Sequence, residues 1–477
     1  MGLGGAAGAL VGLGLFLVES LMAMRAGAIG LKLDLAGSLE PLMQAAKPQL
    51  PGLLVRVAIA YCLWGIVFGA VSAALASAFP IRGRRFWLLA GAEFALLSLL
   101  LTVHRAISRP ALVDDLPMLR GCLEWLVNHA EPWHPAVAAA FWLILHAVLA
   151  LRRLESRWVA WGALLAASAT AWGLLLSRNP SSESRHPLVI VLGVDAMRPD
   201  RLGAYGGRGN IAPNLEGFAL EATLFDRAYT PIAQTEPAWR SLLTARWPHR
   251  HGDRYPLTAE SRLQMAPTFA GQFARAGYQT TFFTDCSRFN YQGPGSGFAE
   301  RHQPPAGAIN FALEKLRYRG LGMFADNAAG ARFLPELVDN RALAGIHDPI
   351  GYAHRLAQHL VAQAKKGPLL FAYHATAAHF PGDPVHPFYR RWVPASEPLE
   401  RRLRMSFAPI GARSEGDWTR EGSEALYDEL LSQADAQIGI IFDALKASGL
   451  YDDALIVVFS DHGESFHADR PSLAGAT

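Results

Sequence analysis

H-P-L-V-I-V-L-G-V-D, His186 to Asp195, decides the fold of this chain. It is a short aliphatic run rich in β-branched residues, which reads as a buried strand, and it ends on an acid. Three more β-rich runs follow the same plan. Tyr278–Thr284 ends at Asp285, Pro368–Tyr373 at His374, and Ala454–Phe459 at Ser460-Asp461-His462-Gly463. Helical patterns fill the gaps at 213–222, 237–246, 351–365 and 422–448; the last carries Leu426, Leu430, Ala434, Ile438, Ile441 and Leu445 at helical spacing. Strands alternating with helices predict an α/β domain whose mainly parallel sheet is flanked by helices. Ligands of open α/β sheets bind beyond the carboxyl ends of the strands. The four strand exits are therefore expected to meet at one edge, with Asp285 and His374 read either as part of a site or as structural residues.

Asp195, Asp461 and His462 offer two carboxylates and an imidazole. This mixed oxygen and nitrogen set suits one divalent metal, manganese or zinc before magnesium or calcium. The alternatives are a helix cap for the acid and a plain turn for His-Gly. A second segment, T-E-P-A-W-R-S-L-L-T-A-R-W-P-H-R-H-G from Thr235 to Gly252, puts a hydroxyl and a proline at the mouth of a short apolar helix. Partial positive charge and free N–H groups at a helix N-terminus favour an anionic ester. Thr235 reads equally as an ordinary N-cap when taken alone. Beside a metal, its hydroxyl would be oriented and acidified for attack. Arg198, Arg201, Arg240, Arg246, Arg250 and Arg254 are candidates for an anion-binding face or for surface solvation.

Composition divides the chain. Hydrophobic residues make up 51% of it and the mean hydropathy is +0.15, with the apolar runs concentrated before residue 178. Five runs, roughly 5–24, 53–79, 86–103, 135–151 and 158–177, predict an all-α transmembrane region of about five helices over 1–178. Asn179-Pro180-Ser181-Ser182 then links it to a domain at 186–477. Arg82, Arg84 and Arg85 lie in one short loop, and Arg152, Arg153 and Arg157 in another; both are expected to face the cytoplasm. That places the N-terminus inside and the α/β domain outside. Leu116, Leu119, Leu123, Leu126 and Val127 follow Asp114-Asp115 at helical spacing, the pattern of an amphipathic helix on the membrane surface. Glu93, inside the third run, is a functional candidate by default, or an acid neutralised or paired with Arg56. The net charge of +3 and the absence of a basic block give no nucleic-acid signal. Three scattered cysteines form neither a metal spacing nor a disulfide framework.

These residues resemble a known group. V-L-G-V-D-A-M-R-P-D-R-L-G-A-Y-G (191–206), A-P-N-L-E (212–216), F-D-R-A-Y-T (225–230), the Thr235–Gly252 segment and V-V-F-S-D-H-G-E (457–464) are similar, in order, to the motifs of the sulfatase and alkaline phosphatase superfamily. Several helices ahead of such a domain look like the lipoteichoic acid synthases and phosphoethanolamine transferases of bacterial membranes. The resemblance implies a multi-pass protein of the bacterial inner membrane with its catalytic domain on the periplasmic side. It implies that Asp195, Asp461 and His462, with Thr235, bind the metal, that Thr235 is the nucleophile, and that His379, in H-F-P, contacts the substrate's charged group. The partners so implied are the lipid bilayer and an anionic ester, lipid-linked or free.

Departures from the pattern set the subclass. Sulfatases carry Cys or Ser in a C/S-x-P-x-R motif that is oxidised to formylglycine. Here those places hold Thr235, Pro237 and Trp239, with arginine displaced to Arg240. Threonine cannot become formylglycine, and threonine is the nucleophile of the membrane transferases. Ala196 after Asp195, and Ala375 four residues before His379, favour one metal over two. The expectation is a metal-dependent phosphoryl-ester transferase or hydrolase. The alternatives are a sulfuric ester hydrolase working without formylglycine, or an inactive scaffold. Relatives continue past the equivalent of His467 with further strands and another His or Lys, which leaves a C-terminally truncated domain open.

Overall fold

The computed structural model describes residues 2–33, 50–76, 83–109, 120–131, 133–151, 187–254, 267–287, 290–304, 330, 338–341, 343, 347–380, 382–394, 397 and 420–464. The chain forms two compact units whose main break falls between Glu183 and Ser184.

The first unit is helical: α1 (Gly2–Leu33), α2 (Leu50–Ala76), α3 (Arg84–Ser108), α4 (Arg120–His129) and α5 (Trp133–Leu151). Among the described residues two stretches, Leu54–Ala76 and Arg84–Ser108, are long and apolar enough to cross a bilayer; Ala6–Leu21 is a shorter apolar stretch. This corrects the expectation of about five spanning helices: of the expected runs, 53–79 and 86–103 qualify among the described residues, while 5–24 yields only the shorter stretch. The run 158–177 and the linker at 179–182 lie outside the described residues. Helix α4 does form where the amphipathic pattern placed one, with Leu123 and Val127 buried and Trp125 exposed. Helices α1 and α2 meet through glycines. A Cβ on Gly8 would stand 1.9 Å from the Gly65 carbonyl oxygen, so the backbones approach as only glycine allows. Glu93 is buried and accepts from Trp142 Nε1 at 2.8 Å, with His146 Nε2 at 3.0 Å from its other oxygen. Its partners are an indole and an imidazole on α5, where the sequence left Arg56 as one of the alternatives.

The second unit contains β1 (Leu188–Val194), α6 (Pro213–Ala219), α7 (Thr235–Thr244), α8 (Pro248–His251), α9 (Phe269–Arg275), β2 (Gln279–Thr284), β3 (Glu300–His302), α10 (Pro349–Ala364), β4 (Leu369–Ala375), α11 (Arg420–Ala447) and β5 (Ala454–Phe459). All five strands are parallel, in the order β3-β2-β4-β1-β5. The α/β expectation is met, and the three-residue edge strand β3 is an addition to it. Side chains alternate across a strand, and β1 shows the consequence. Leu188, Ile190, Leu192 and Val194 join the core under α10 and α11, with Leu356, Leu360, Leu430, Ile438 and Ile441. Val191 faces the other way, against Trp239 and Leu243 of α7 and Ala270 of α9. Asp195 continues this second series, so the acid at the strand exit falls on the α7 side.

Helix α11 does more than fill the core. Its polar side is buried too, and its carboxylates hold neighbouring loops. Glu429 Oε1 accepts from the backbone N–H groups of Arg391, Trp392 and Val393 at 3.1–3.2 Å. Asp435 accepts from the N–H groups of Asn214 and Leu215 at the start of α6, at 3.1 and 2.8 Å.

Candidate active site

The sheet register assembles the centre. Gly193 pairs with His374 and with Phe459, and His374 pairs with Thr284, so these residues form one row across four strands. Gly193 leaves a gap in that row which the Trp239 indole fills. A Cβ there would stand 2.4 Å from Trp239 Cζ2 and 2.9 Å from Phe459 Cζ. The indole is fully buried and meets the His374 ring edge-on at 5.2 Å. Trp239 thus supports the site from below. Gly193→Ala is expected to destabilise the domain by ~2–3 kcal/mol, because neither ring has room to yield. A denaturation midpoint unchanged from wild type would contradict this packing account.

Asp195 and Asp461 meet above that row. Asp461 Oδ1 accepts from the N–H groups of Ala196 and His462 at 3.2 and 3.0 Å, which turns Oδ2 inward. Ala196 has a φ of 58°, an uncommon left-handed conformation for a residue with a Cβ. Tyr427 of α11 holds it there, its hydroxyl donating to the Ala196 carbonyl at 2.8 Å and accepting from the Arg198 N–H at 2.9 Å.

Three imidazoles surround the acids. His462 Nε2 lies 3.5 Å from Asp195 Oδ1 and 3.8 Å from Asp461 Oδ2. His374 Nε2 lies 3.4 Å from Asp195 Oδ2 and 3.8 Å from Asp461 Oδ2. The His379 ring centre is 5.7 Å from that of His462. All five side chains are buried. Asp195 Oδ1, Asp461 Oδ2 and His374 Nε2 have no hydrogen-bond partner. Buried polar atoms are rarely left so, and a divalent cation would satisfy all three. Asp195, His379 and His462 form one possible metal-holding group, and Asp195, His374 and Asp461 another.

The electrostatics agree with a cation site. Burial works to raise the Asp195 pKa, yet His379, His374 and His462 together hold it well below the usual carboxylate range. Burial and then Asp195 push Asp461 up. Burial opposes a charged His462, but Asp461 and Asp195 outweigh it and raise its pKa. Burial lowers the pKa of His379, with Asp195 opposing. Two buried carboxylates thus favour positive charge in this space.

Thr235 completes the cluster. It is the first residue of α7, while Gln234 occupies the N-cap position without a side-chain cap bond. The Thr235 hydroxyl is therefore released from the capping role that sequence allowed it. It is buried, and its Oγ1 lies 3.0 Å from His462 Nε2. His462 Nδ1 faces the Gly463 carbonyl at 2.9 Å and must carry a proton, since a carbonyl only accepts.

Other candidates fall elsewhere. Asp285 is bound to His347 at 3.0 Å and accepts from the Thr376 hydroxyl at 2.5 Å, so it anchors the loop leading to His379. Arg341 donates to the carbonyls of Thr376 and His379 in the same loop. Arg240 pairs with Asp253 at 2.9 Å, Arg198 with Asp200 at 2.9 Å, and Arg201 with Glu424 at 2.7 Å. These three arginines are thus tied to acids instead of lining an anion-binding face. His374 is the residue that sequence undervalued: β4 runs on through Ala375, placing His374 inside the strand and not past its end. His467 lies outside the described residues.

Parts of the chain are similar to known proteins. An arylsulfatase of Clostridium perfringens (strain 13 / Type A) is 33% identical over 94 residues, 20% of this chain and 19% of the relative. An N-acetylgalactosamine-6-sulfatase of Canis lupus familiaris is 34% identical over 91 residues, 18% of this chain and 17% of that protein. Among solved structures, a phosphonate monoester hydrolase of Agrobacterium radiobacter aligns with a TM-score of 0.42 at 23% identity, covering 59% of this chain and 63% of that one. The matched region therefore spans under a fifth of either curated relative and under two thirds of the solved chain. The sequence model of the family described as Sulfatase matches residues 187–475, well over half of the chain. With the α/β domain falling within the same residues, the chain belongs to the sulfatase family.

Proposed function

We propose that this protein is a metal-dependent phosphoryl-ester transferase or hydrolase acting at the outer face of a membrane, with Thr235 as its nucleophile. One observation carries the reading: a buried threonine hydroxyl at a helix start stands 3.0 Å from His462 Nε2, beside carboxylates with unpartnered oxygens. Asp195, Asp461 and His462, with Thr235 and with His374 beneath, are the residues that would hold one divalent cation. Two carboxylates with imidazoles fit manganese or zinc better than magnesium or calcium. Such a cation would acidify the threonine hydroxyl and take up charge on an ester oxygen.

The chain's own residues then have distinct tasks. Helix α7 fixes Thr235 at its N-terminus, where the helix dipole favours an anionic ester. Attack by Oγ1 on phosphorus forms a phosphothreonine and breaks the ester bond; the hydroxyl proton leaves to solvent, and solvent protonates the departing alcohol. Water or an acceptor hydroxyl then takes the phosphoryl group and frees Thr235. His379, whose Nδ1 faces the Phe380 carbonyl, is the residue that would contact the substrate's charged group. Asp285 and Arg341 keep the His379 loop in place.

A second reading is hydrolysis of sulfate esters by Thr235 without formylglycine. The relatives named as sulfatases favour it. Rates on an aryl sulfate, a phosphate monoester and a phosphodiester, measured side by side on the metal-loaded protein, separate the two. Phosphorus esters are expected to turn over faster, with a phosphate adduct on Thr235 in the intact mass. Preference for the aryl sulfate would reverse the assignment, and a protein that takes up no metal would be the inactive scaffold.

A further inference from the structure

A second cluster of metal-ligand type lies on the opposite face of the sheet. β3 pairs with β2 so that Glu300 stands beside Thr281 and His302 beside Phe283. Glu300 and His302 are two residues apart on a strand and so project to the same side. That side is the one covered by α10, because Phe283 belongs to the core under α10 and α11. His359 of α10 comes down on the pair from above. His302 Nε2 lies 2.6 Å from Glu300 Oε1, and His359 Nε2 lies 3.3 Å from the same oxygen. The ligand atoms of all three fall within 4.8 Å of one another. All three side chains remain partly open to solvent, at 39%, 39% and 28% exposure.

We propose that Glu300, His302 and His359 bind a divalent transition metal, zinc by their chemistry, at a site separate from the Thr235 centre. Bonds of about 2.0–2.1 Å in a tetrahedral shell put ligand atoms about 3.3 Å apart, close to the spacing that His359 and Glu300 already show. The two imidazoles are preoriented by a single phenyl ring. His302 stacks on Phe283 at 4.1 Å and 10°, and His359 meets the same ring edge-on at 5.1 Å. Gln363, one turn beyond His359, donates to Glu300 Oε2 at 3.0 Å and fixes the carboxylate. Supporting hydrogen bonds of this kind orient metal ligands. Solvent completes the shell through the exposed side.

This site does not serve the ester chemistry. Two-metal catalysis needs ions about 3.5–4 Å apart, whereas β3 is three strands from β1, about 14 Å at normal strand spacing. Its consequence is structural: the ion clips a three-residue edge strand, otherwise held by few backbone bonds, to α10. The inference is independent of the function proposed for Thr235.

The test uses untagged full-length protein in detergent, stripped with chelator and dialysed against zinc alone, with bound zinc counted by elemental mass spectrometry. His302→Ala/His359→Ala is expected to bind one equivalent fewer than wild type and to lose part of the zinc-dependent rise in melting temperature. Glu300→Gln, a milder change, is expected to weaken the same equivalent. Asp461→Asn is expected to retain it, so failure of the first centre is seen separately. A cobalt-loaded Asp461→Asn protein should show a visible d–d band that the added histidine substitutions abolish. Equal zinc counts in wild type and the double variant, with both folded by circular dichroism, would overturn the proposal. If the double variant does not fold, an unchanged count in Glu300→Gln would overturn it.

Discussion

Replacing Thr235 by alanine is expected to lower ester turnover by at least ~10⁴-fold while leaving folding intact and the metal still held by Asp195, Asp461 and His462, a water taking the place of the neutral hydroxyl. The size follows from what is removed: without the nucleophile the covalent route closes, and only binding and electrostatic stabilisation remain for attack by water. Stability should change little. Thr235 is not the N-cap of α7, so the usual cost of about 1 kcal/mol for a lost cap does not arise. Thr235→Ser keeps the hydroxyl near His462 Nε2 and is expected to retain activity within about tenfold, the methyl group contributing only packing. The measurements are steady-state rates, metal content and the intact mass after substrate is added. Alanine activity within tenfold of wild type would remove Thr235 from the nucleophile position, and a phosphate adduct on another residue would name its replacement.

The fold was legible where the sequence repeats a simple rule. Each of the four apolar β-rich runs became a strand, because buried parallel strands need continuous apolar character and leave little room for other readings. β3 was not legible: Glu300-Arg301-His302 is charged, and it joins the sheet only because Thr281 to Phe283 offer a free edge. Asp195, Asp461 and His462 could be found because they sit just past strand ends. His374 hides inside a strand, and its value depends on Gly193 opposite it and on Trp239 beneath, a relation among residues far apart in the chain. Asp285 shows the reverse. It ends a strand as Asp195 does, yet His347 and Thr376 claim both its oxygens. Position on the strand located the candidates; long-range partners decided among them. The displaced arginine is a third case. Trp239 faces the sheet and Arg240 turns to Asp253, so the helix face, and not the spacing alone, sets which residue meets the site.

Asp461→Asn is expected to lower metal affinity at least ~100-fold and to take turnover down with it, while the metal-free protein melts no lower than wild type. The two halves have one cause. Asparagine can keep the Oδ1 contacts with the N–H groups of Ala196 and His462, so the loop geometry persists. What it removes is the inward Oδ2, which has no hydrogen-bond partner. In the proposed site that oxygen is a ligand of the cation, and its loss is expected to exceed the 10–100-fold typical of residues that merely orient ligands. Without a cation it is a liability, since burial and Asp195 raise its pKa. A carboxyl whose folded pKa lies above its unfolded value contributes stability in full below about pH 3.9 and loses it as pH rises through the folded value. The metal-free wild type should therefore lose stability over that rise, and the Asp461→Asn protein should lack this component. Adding metal should reverse the order at neutral pH, because binding stabilises only a protein that has the site. Melting curves across pH, with chelator and with excess manganese or zinc, read both effects. Metal content equal to wild type, or a chelated variant that melts well below chelated wild type, would show that Asp461 holds the fold and not the cation.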